Sequence, residues 1–387
     1  MTNRGIPMPR PTPTLPGIAV LAILLAPAAD AQQVLEIDLT TGRTIIDDEW
    51  RSMSGSAADW DRNILYVTDK EEPEGIMAFS LETGEWIRTI STPRGDGPHE
   101  FSQGREEFAA APGGGLYVSG RLRVVEYDPQ GRPIDSWRPS ASSTGEVCNF
   151  AGAPAVLTRG GVVRRGPDGT DETIGTIGAR DLGLDAETPA DARPMFLGML
   201  NAKLACSEDA AYVLTSKGYL MARQEGSGAG VDSILSYYRH GEEGRVAVPA
   251  EGAYEGGKCE HKVTIGGRER TRPCPHWSQS ADMSLDDRGN IVLLGLDSRT
   301  RGAIINPETG CYALIRSPMG SAMARRSMPV AIHADSVLVL RNATREVTDQ
   351  QGRTVNSVVI GSATRASLHP LRRVGGEPCA GMLPSVS

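Results

Sequence analysis

A short unit recurs along this chain: an apolar run, a break, a second run, a turn centred on glycine, and a third run. One copy reads Asp61-Arg62-Asn63-Ile64-Leu65-Tyr66-Val67, then Ile76-Met77-Ala78-Phe79, the turn Glu82-Thr83-Gly84-Glu85, and Trp86 to Ile90. The next passes from Gly115-Leu116-Tyr117-Val118 through Val124-Val125-Glu126-Tyr127 and the turn Asp128-Pro129-Gln130-Gly131 to Trp137. A third joins Ile291-Val292-Leu293-Leu294, Ala303-Ile304-Ile305, the turn Asn306-Pro307-Glu308-Thr309-Gly310, and Tyr312 to Ile315. Fainter copies surround Gly169, Gly226 and Gly352. Glycine supplies the positive φ of such turns, and Asp or Asn ahead of Pro starts the reversal. Short runs of Val, Ile, Leu and Tyr between turns make the strands of an antiparallel meander.

One small twisted sheet cannot bury both of its faces, so the copies have to stack. Radial stacking leaves only short, protected edges, which is the β-propeller solution. Gly42 and Gly84 are 42 residues apart, as are Gly310 and Gly352, a spacing that suits a four-stranded blade. Longer spacings between Gly169 and Gly310 imply insertions there. Six units predict an all-β chain folded as a six-bladed β-propeller. The segment Val34 to Ile46, turning at Gly42, is an extra strand pair expected to complete the last blade and close the ring. If it headed a blade of its own, the count would be seven.

The run Arg94-Gly95-Asp96-Gly97-Pro98-His99-Glu100-Phe101, followed by Gly115-Leu116-Tyr117-Val118, Val124-Val125-Glu126-Tyr127-Asp128 and Gly131-Arg132, resembles an NHL-type repeat. More broadly it is similar to the secreted six-bladed propellers of bacteria. The match covers one repeat well, residues 94–137, and the rest of the chain in part. His99 stands where the family usually has glycine. The resemblance implies the fold and says little of function, because propellers host binding proteins, lyases, lactonases and scaffolds alike.

The N-terminus reads as an export signal. Arg4 and Arg10 precede an apolar run from Gly17 to Ala26, and Ala29-Asp30-Ala31 forms a small-x-small cleavage site. The run is too short to span a bilayer. Residues 1–31 are therefore expected to be a signal peptide and 32–387 a single propeller domain, periplasmic or secreted, with no membrane insertion of the mature chain. Formal net charge is −8 over 387 residues, and without the leader 38 basic and 47 acidic residues remain. An acidic chain with no basic block is a poor nucleic-acid binder.

All six cysteines, Cys148, Cys206, Cys259, Cys274, Cys311 and Cys379, follow the leader. An even count in an exported chain reads as up to three disulfides. Gly266-Gly267 is a two-residue hairpin turn in an insertion spanning about 252–277. In that register Ile265 faces Arg268, and counting outward sets Cys259 opposite Cys274, within reach of a disulfide. Cys148 with Cys206 and Cys311 with Cys379 follow only by elimination. The same hairpin offers Cys259, His261, Cys274 and His276 as a zinc alternative, but the register sets His261 against Arg272 and an oxidising compartment favours the disulfide.

The remaining candidates lie in loops. His99, with Asp96 and Glu100 beside it, sits in a glycine-rich loop that can reach the mouth of a propeller channel, where ligands bind. A solvated loop histidine is the plainer reading. Asp61, Asp286, Asp287 and Asp335 recur ahead of strands and could hold calcium on an axis, although turn chemistry accounts for them. Paired arginines, including Arg121 and Arg123, read as strand-edge charges. No Gly-x-Ser-x-Gly elbow, phosphate loop or His-Glu-x-x-His is present. The expected function is a binding module for a small molecule, glycan or protein partner, with no cofactor and no catalytic residue assigned. The alternative is a metal-dependent hydrolase or lyase with an axial carboxylate or histidine site, using calcium or zinc.

Overall fold

The computed structural model describes residues 32–47, 56–68, 75–102, 107–158, 160–178, 202–216, 233–239, 242–246, 260–265, 268–273, 281–295, 300–316, 327–348 and 354–375. Residues 1–31, expected to be a leader, lie outside them. Among the described residues no helix is long and apolar enough to cross a membrane. Nearly all regular structure is β.

The chain opens with β1 (Gln32–Ile37) and β2 (Arg43–Ile46). Four antiparallel meanders follow, each a sheet of four strands in chain order. The first is β3 (Ser56–Asp59), β4 (Ile64–Thr68), β5 (Gly75–Ser80) and β6 (Trp86–Ser91). The second is β7 (Phe108–Ala110), β8 (Leu116–Gly120), β9 (Arg123–Tyr127) and β10 (Pro133–Trp137). The third is β11 (Ser143–Phe150), β12 (Ala153–Thr158), β13 (Gly161–Arg165) and β14 (Asp171–Thr176). The fourth is β15 (Lys203–Cys206), β16 (Ala210–Ser216), β17 (Ser233–Arg239) and β18 (Glu242–Val246). A separate two-stranded hairpin comes next, β19 (Glu260–Ile265) with β20 (Arg268–Pro273).

The rest of the chain joins both ends in one nine-stranded sheet. It holds the meander β21 (Ala281–Leu285), β22 (Ile291–Gly295), β23 (Thr300–Ile305) and β24 (Tyr312–Arg316). It also holds β25 (Ser327–His333), β26 (Ser336–Thr348) and the long β27 (Thr354–Gly375). β1 runs parallel to β24 and antiparallel to β27, while β2 pairs with β27 through Arg43 to Leu368 and Thr44 to Ser367. Both N-terminal strands thus join the last sheet, but they follow one another in the same direction along β27, so the expected reversal at Gly42 does not occur.

Burial follows position in each meander. Second strands such as β4 and β8 are buried along their whole length, and their sequences are continuous apolar runs, as strands covered on both faces must be. Fourth strands such as β6 and β18 are mostly exposed. First strands are polar or built from small residues: Ser-Ala-Ala-Asp in β3, Phe-Ala-Ala in β7, Lys-Leu-Ala-Cys in β15. They touch one another in succession: β3 meets β7, β7 meets β11, β11 meets β15, β15 meets β21, and β25 meets β3 and β22.

Among the described residues, six apolar cores lie between neighbouring meanders, one of them inside the nine-stranded sheet. Tyr66, Ile76 and Ile90 of the first sheet pack on Phe108, Leu116 and Val125 of the second. Tyr117 and Trp137 meet Val147 and Val156 of the third. Phe150 and Leu157 meet Leu204 and Val213 of the fourth. Tyr212 and Leu235 meet Leu293 and Ile305. Ile304 and Ile315 meet Leu35, Val337 and Leu371. Finally Leu338, Leu340 and Ala366 return to Leu65 and Val67 of the first sheet. Each fully buried Val, Leu, Ile or Phe contributes about 1.5–3 kcal/mol relative to exposure, so these interfaces dominate the stability.

Cys148 on β11 and Cys206 on β15 form a disulfide with Cα atoms 5.7 Å apart, tying two neighbouring first strands. Cys311 is also disulfide-bonded, with a partner outside the described residues. Cys259 and Cys274 lie outside them too, but the hairpin between has the expected register, with Ile265 opposite Arg268 and His261 opposite Arg272. Besides Gly42, two turn assignments need correction, both at glycines outside the described residues, from the strands that flank them. Gly226 falls in the connection between β16 and β17, and Gly352 in that between β26 and β27. Both are second-to-third connections, whereas Gly84, Gly131, Gly169 and Gly310 turn between third and fourth strands with φ between +69° and +82°. Glycine spacing alone does not distinguish the two kinds of turn.

Candidate functional site

In a four-stranded meander the first-to-second and third-to-fourth turns share one edge. The second-to-third turns and the crossovers to the next sheet share the other. The first edge is trimmed to tight turns throughout, such as 60–63, 128–132 and 166–170. The strand ends at the second edge are joined by longer stretches of sequence, 92–107, 177–202, 217–232, 247–280 and 317–326, most of whose residues lie outside the described ones. The hairpin of β19 and β20 lies within one of them.

The starts of the first strands lie at this second edge, and three of them carry charge. Lys203, the first residue of β15, sets its Nζ 3.1 Å from Glu146 Oε1 on β11 and 3.1 Å from Asp282 Oδ1 on β21. Glu146 Oε2 also accepts the Leu204 backbone N–H at 3.4 Å. Lys203 and Glu146 are only 20% and 16% exposed, while Asp282 is 79% exposed. Burial pushes the Glu146 carboxyl above the ordinary glutamate range, against the pull of Lys203. Burial alone would lower Lys203, but the attraction of Glu146, then of Asp282 and Glu107, overrides it and holds the ammonium charged. Glu107 immediately precedes β7, so four successive sheets contribute to this cluster.

This donor set does not fit a divalent cation. The Lys203 ammonium already bridges the two carboxylates, at the position a metal would need. Among the described residues no group of three or more His, Cys, Asp or Glu side chains is arranged to hold a metal.

A second feature lies on the same edge. A cavity of about 90 Å³ is lined by the 95–102 loop, the β8–β9 turn and Arg138 after β10. The loop is built around its own glutamate. Glu100 Oε2 accepts the Gly97 N–H at 2.8 Å, and the backbone of Gly95 passes so close that a Cβ there would lie 2.0 Å from that oxygen. Phe101, the next residue, is buried in the core between the first two sheets. The Gly-x-Gly-Pro-x-Glu-Phe pattern therefore describes a loop wrapped on a carboxylate and anchored by an aromatic ring. Arg123, only 6% exposed, braces it from β9, its Nη1 donating to the carbonyls of Gly97 and Glu100.

Of the expected site residues, Asp96 and Glu100 line this cavity with Arg121, Arg123 and Arg138, while His99 sits half-buried in the same loop. The turn aspartates lie on the tight-turn edge and mostly serve it. Asp286 accepts the N–H groups of Arg288 and Asn290 at 2.9 and 2.8 Å. Asp287 accepts that of Ala334 at 3.2 Å, and Asp335 the Ser336 hydroxyl at 3.2 Å. Of the zinc alternative, Cys259, Cys274 and His276 fall outside the described residues. Glu146, Lys203, Asp282 and Arg138 escaped the sequence reading, because they are scattered over four sheets and carry no local motif.

No family model and no curated protein matches the chain. Solved structures share its outline at low identity. A gluconolactonase from Xanthomonas campestris is 12% identical, with a TM-score of 0.46 over 89% of this chain and 93% of the other. A catalytically inactive virginiamycin B lyase from Staphylococcus aureus is 8% identical, with a TM-score of 0.43 over 87% and 99%. The β-propeller domain of Cps50 (Swd1) from Myceliophthora thermophila is 10% identical, with a TM-score of 0.39 over 84% and 90%. Likenesses at this level assign no activity or ligand.

Proposed function

We propose that the chain is an exported six-bladed propeller, closed by β1 and β2, that binds its ligand on the face carrying the crossovers between sheets. The blade count is supported by six apolar cores between neighbouring meanders of the described residues, the last of which returns to the first sheet. Export accords with the disulfides at Cys148–Cys206 and at Cys311. The observation that carries the function is the inequality of the two faces. Among the described residues, one is trimmed to tight turns, while the other carries the Glu146–Lys203–Asp282 cluster and the arginine-lined cavity. Loops on a rigid β scaffold are where binding residues concentrate.

Binding is favoured over hydrolysis because the axial carboxylates are engaged by Lys203. They are not poised as a separated acid and base. The test is a thermal-unfolding screen of the protein against sugars, organic acids and phosphate esters, with hydrogen exchange mapped for each compound that stabilises it. Protection is expected at 95–102, 120–123, 138–146, 203–206 and 281–283. Protection at the 81–85, 128–132 and 166–170 turns would overturn the assignment. Turnover of a stabilising compound, lost with added chelator, would favour the hydrolase or lyase instead.

A further inference from the structure

The cavity beside the 95–102 loop has an unbalanced charge. Arg123 is buried, and its guanidinium donates to the neutral carbonyls of Gly97 and Glu100; among the described residues it forms no ion pair, the charges of Asp96 and Glu100 reaching it only from a longer distance. A buried guanidinium without a carboxylate partner is costly unless something else answers its charge. Arg138 on the rim is exposed and, among the described residues, forms neither hydrogen bond nor ion pair. The two guanidiniums repel: burial and then the nearby charge of Arg138 lower the proton affinity of Arg123, and the attraction of Asp96 and Glu100 offsets them only in part. Of the two acidic groups lining the space, Glu100 is turned onto the Gly97 N–H. Asp96 is exposed at the edge. The arginines sit on separate strands and loops and share this space only through the fold, so a strand-edge role does not explain their convergence.

We propose that this cavity is an anion subsite, taking the carboxylate or phosphate group of a small organic ligand between Arg123 and Arg138. The inference rests on the binding reading above and names the ligand chemistry for one part of that face. A planar fork of N–H donors is suited to carboxylate and phosphate oxygens. About 90 Å³ accommodates a charged head group and no more, since a site enclosing a drug-sized ligand needs roughly 300 Å³ or above. The body of the ligand therefore lies outside, along Leu122, whose side chain is 49% exposed at the same rim.

Calorimetric titration at low ionic strength tests this with three probes: inorganic phosphate, glucuronate, and glucose as the uncharged control. Phosphate, glucuronate or both should bind, and glucose should not. A preference for phosphate identifies a phosphoryl head group, and a preference for glucuronate a carboxylate. Arg138→Met removes a charged donor from the rim without touching the loop, and should weaken anion binding about tenfold or more. Asp96→Asn removes a competing negative charge and should tighten it. Arg123 is left unaltered because it braces the loop. Absence of binding by both anions, or binding unchanged in Arg138→Met, overturns the subsite. Glucose binding as well as glucuronate, unaffected by Arg138→Met, sinks the anion assignment while leaving the binding module standing.

Discussion

Replacing Lys203 by Met strands the Glu146 carboxylate. The ammonium lies 3.1 Å from that carboxylate, both groups are more than three-quarters buried, and a methionine has similar length and no charge. Breaking a buried pair from one side costs about 3–5 kcal/mol, because the remaining charge has no partner. Glu146 keeps some solvent contact and one backbone donor, so we expect the lower end, about 3 kcal/mol at pH 8. The loss should depend on pH. A carboxyl whose folded pKa lies above its unfolded value holds its proton more tightly when folded. Its stability contribution is complete at low pH and drains away as the pH rises through the folded pKa. Burial already raises Glu146, and losing Lys203 raises it further. At a pH near the ordinary glutamate value of about 4.3, the stranded carboxyl is protonated and the cost should shrink to about 1 kcal/mol. Urea unfolding of wild type and variant at both pH values reads this difference, and the double variant Glu146→Met/Lys203→Met should recover most of the loss at pH 8. Equal losses at both pH values, with no recovery in the double variant, would refute the buried-pair reasoning.

Removing the Cys148–Cys206 bridge by double alanine substitution opens a loop of 58 residues, and should cost about 4 kcal/mol in chemical denaturation by the chain-entropy relation. Gly84→Ala should destabilise by about 2 kcal/mol or more. That residue holds φ +79°, and a Cβ there would lie 1.8 Å from the Ile45 carbonyl oxygen of β2. Thermal melting should register the loss, and a neutral result would mean that β2 does not pack on the β5–β6 turn. His369 is buried with Nδ1 3.1 Å from the Asp38 carbonyl, and burial lowers its proton affinity. A lowered folded pKa gives stability that is present above the ordinary histidine value, about 6.5, and is lost as the pH falls through it. The wild type should therefore lose stability relative to His369→Asn between about pH 7 and pH 5.

The parts of the fold visible in the sequence were those with local chemistry. Gly84, Gly131, Gly169 and Gly310 stand at positive φ between third and fourth strands because the turn demands it. Second strands announce themselves as apolar runs because neighbours cover both faces. The first strand of each meander was overlooked. Ser-Ala-Ala-Asp and Lys-Leu-Ala-Cys carry small or charged residues, since their free edge faces other first strands at the centre and cannot be filled with large side chains. The candidate site was hidden for the same reason. Glu146 and Lys203 are 57 residues apart, and Asp282 belongs to another sheet again. In the 94–101 motif the glycines and Glu100 build the loop, while Arg123 and Arg138, from later in the chain, line the cavity beside it with Asp96 and Glu100.

The claim on which the rest depends is that the N-terminal strand closes the ring against the last sheet. Thr44 lies opposite Ser367 across β2 and β27, and facing residues in an antiparallel pair have Cα atoms about 4.5–5.5 Å apart, within disulfide range. Mass-spectrometric mapping of the Thr44→Cys/Ser367→Cys variant, oxidised in its folded state, should find these two cysteines joined within one chain, with an unchanged melting profile or a higher one. Two unjoined cysteines in a folded, oxidised protein would contradict the closed ring and, with it, the face on which the binding site is assigned.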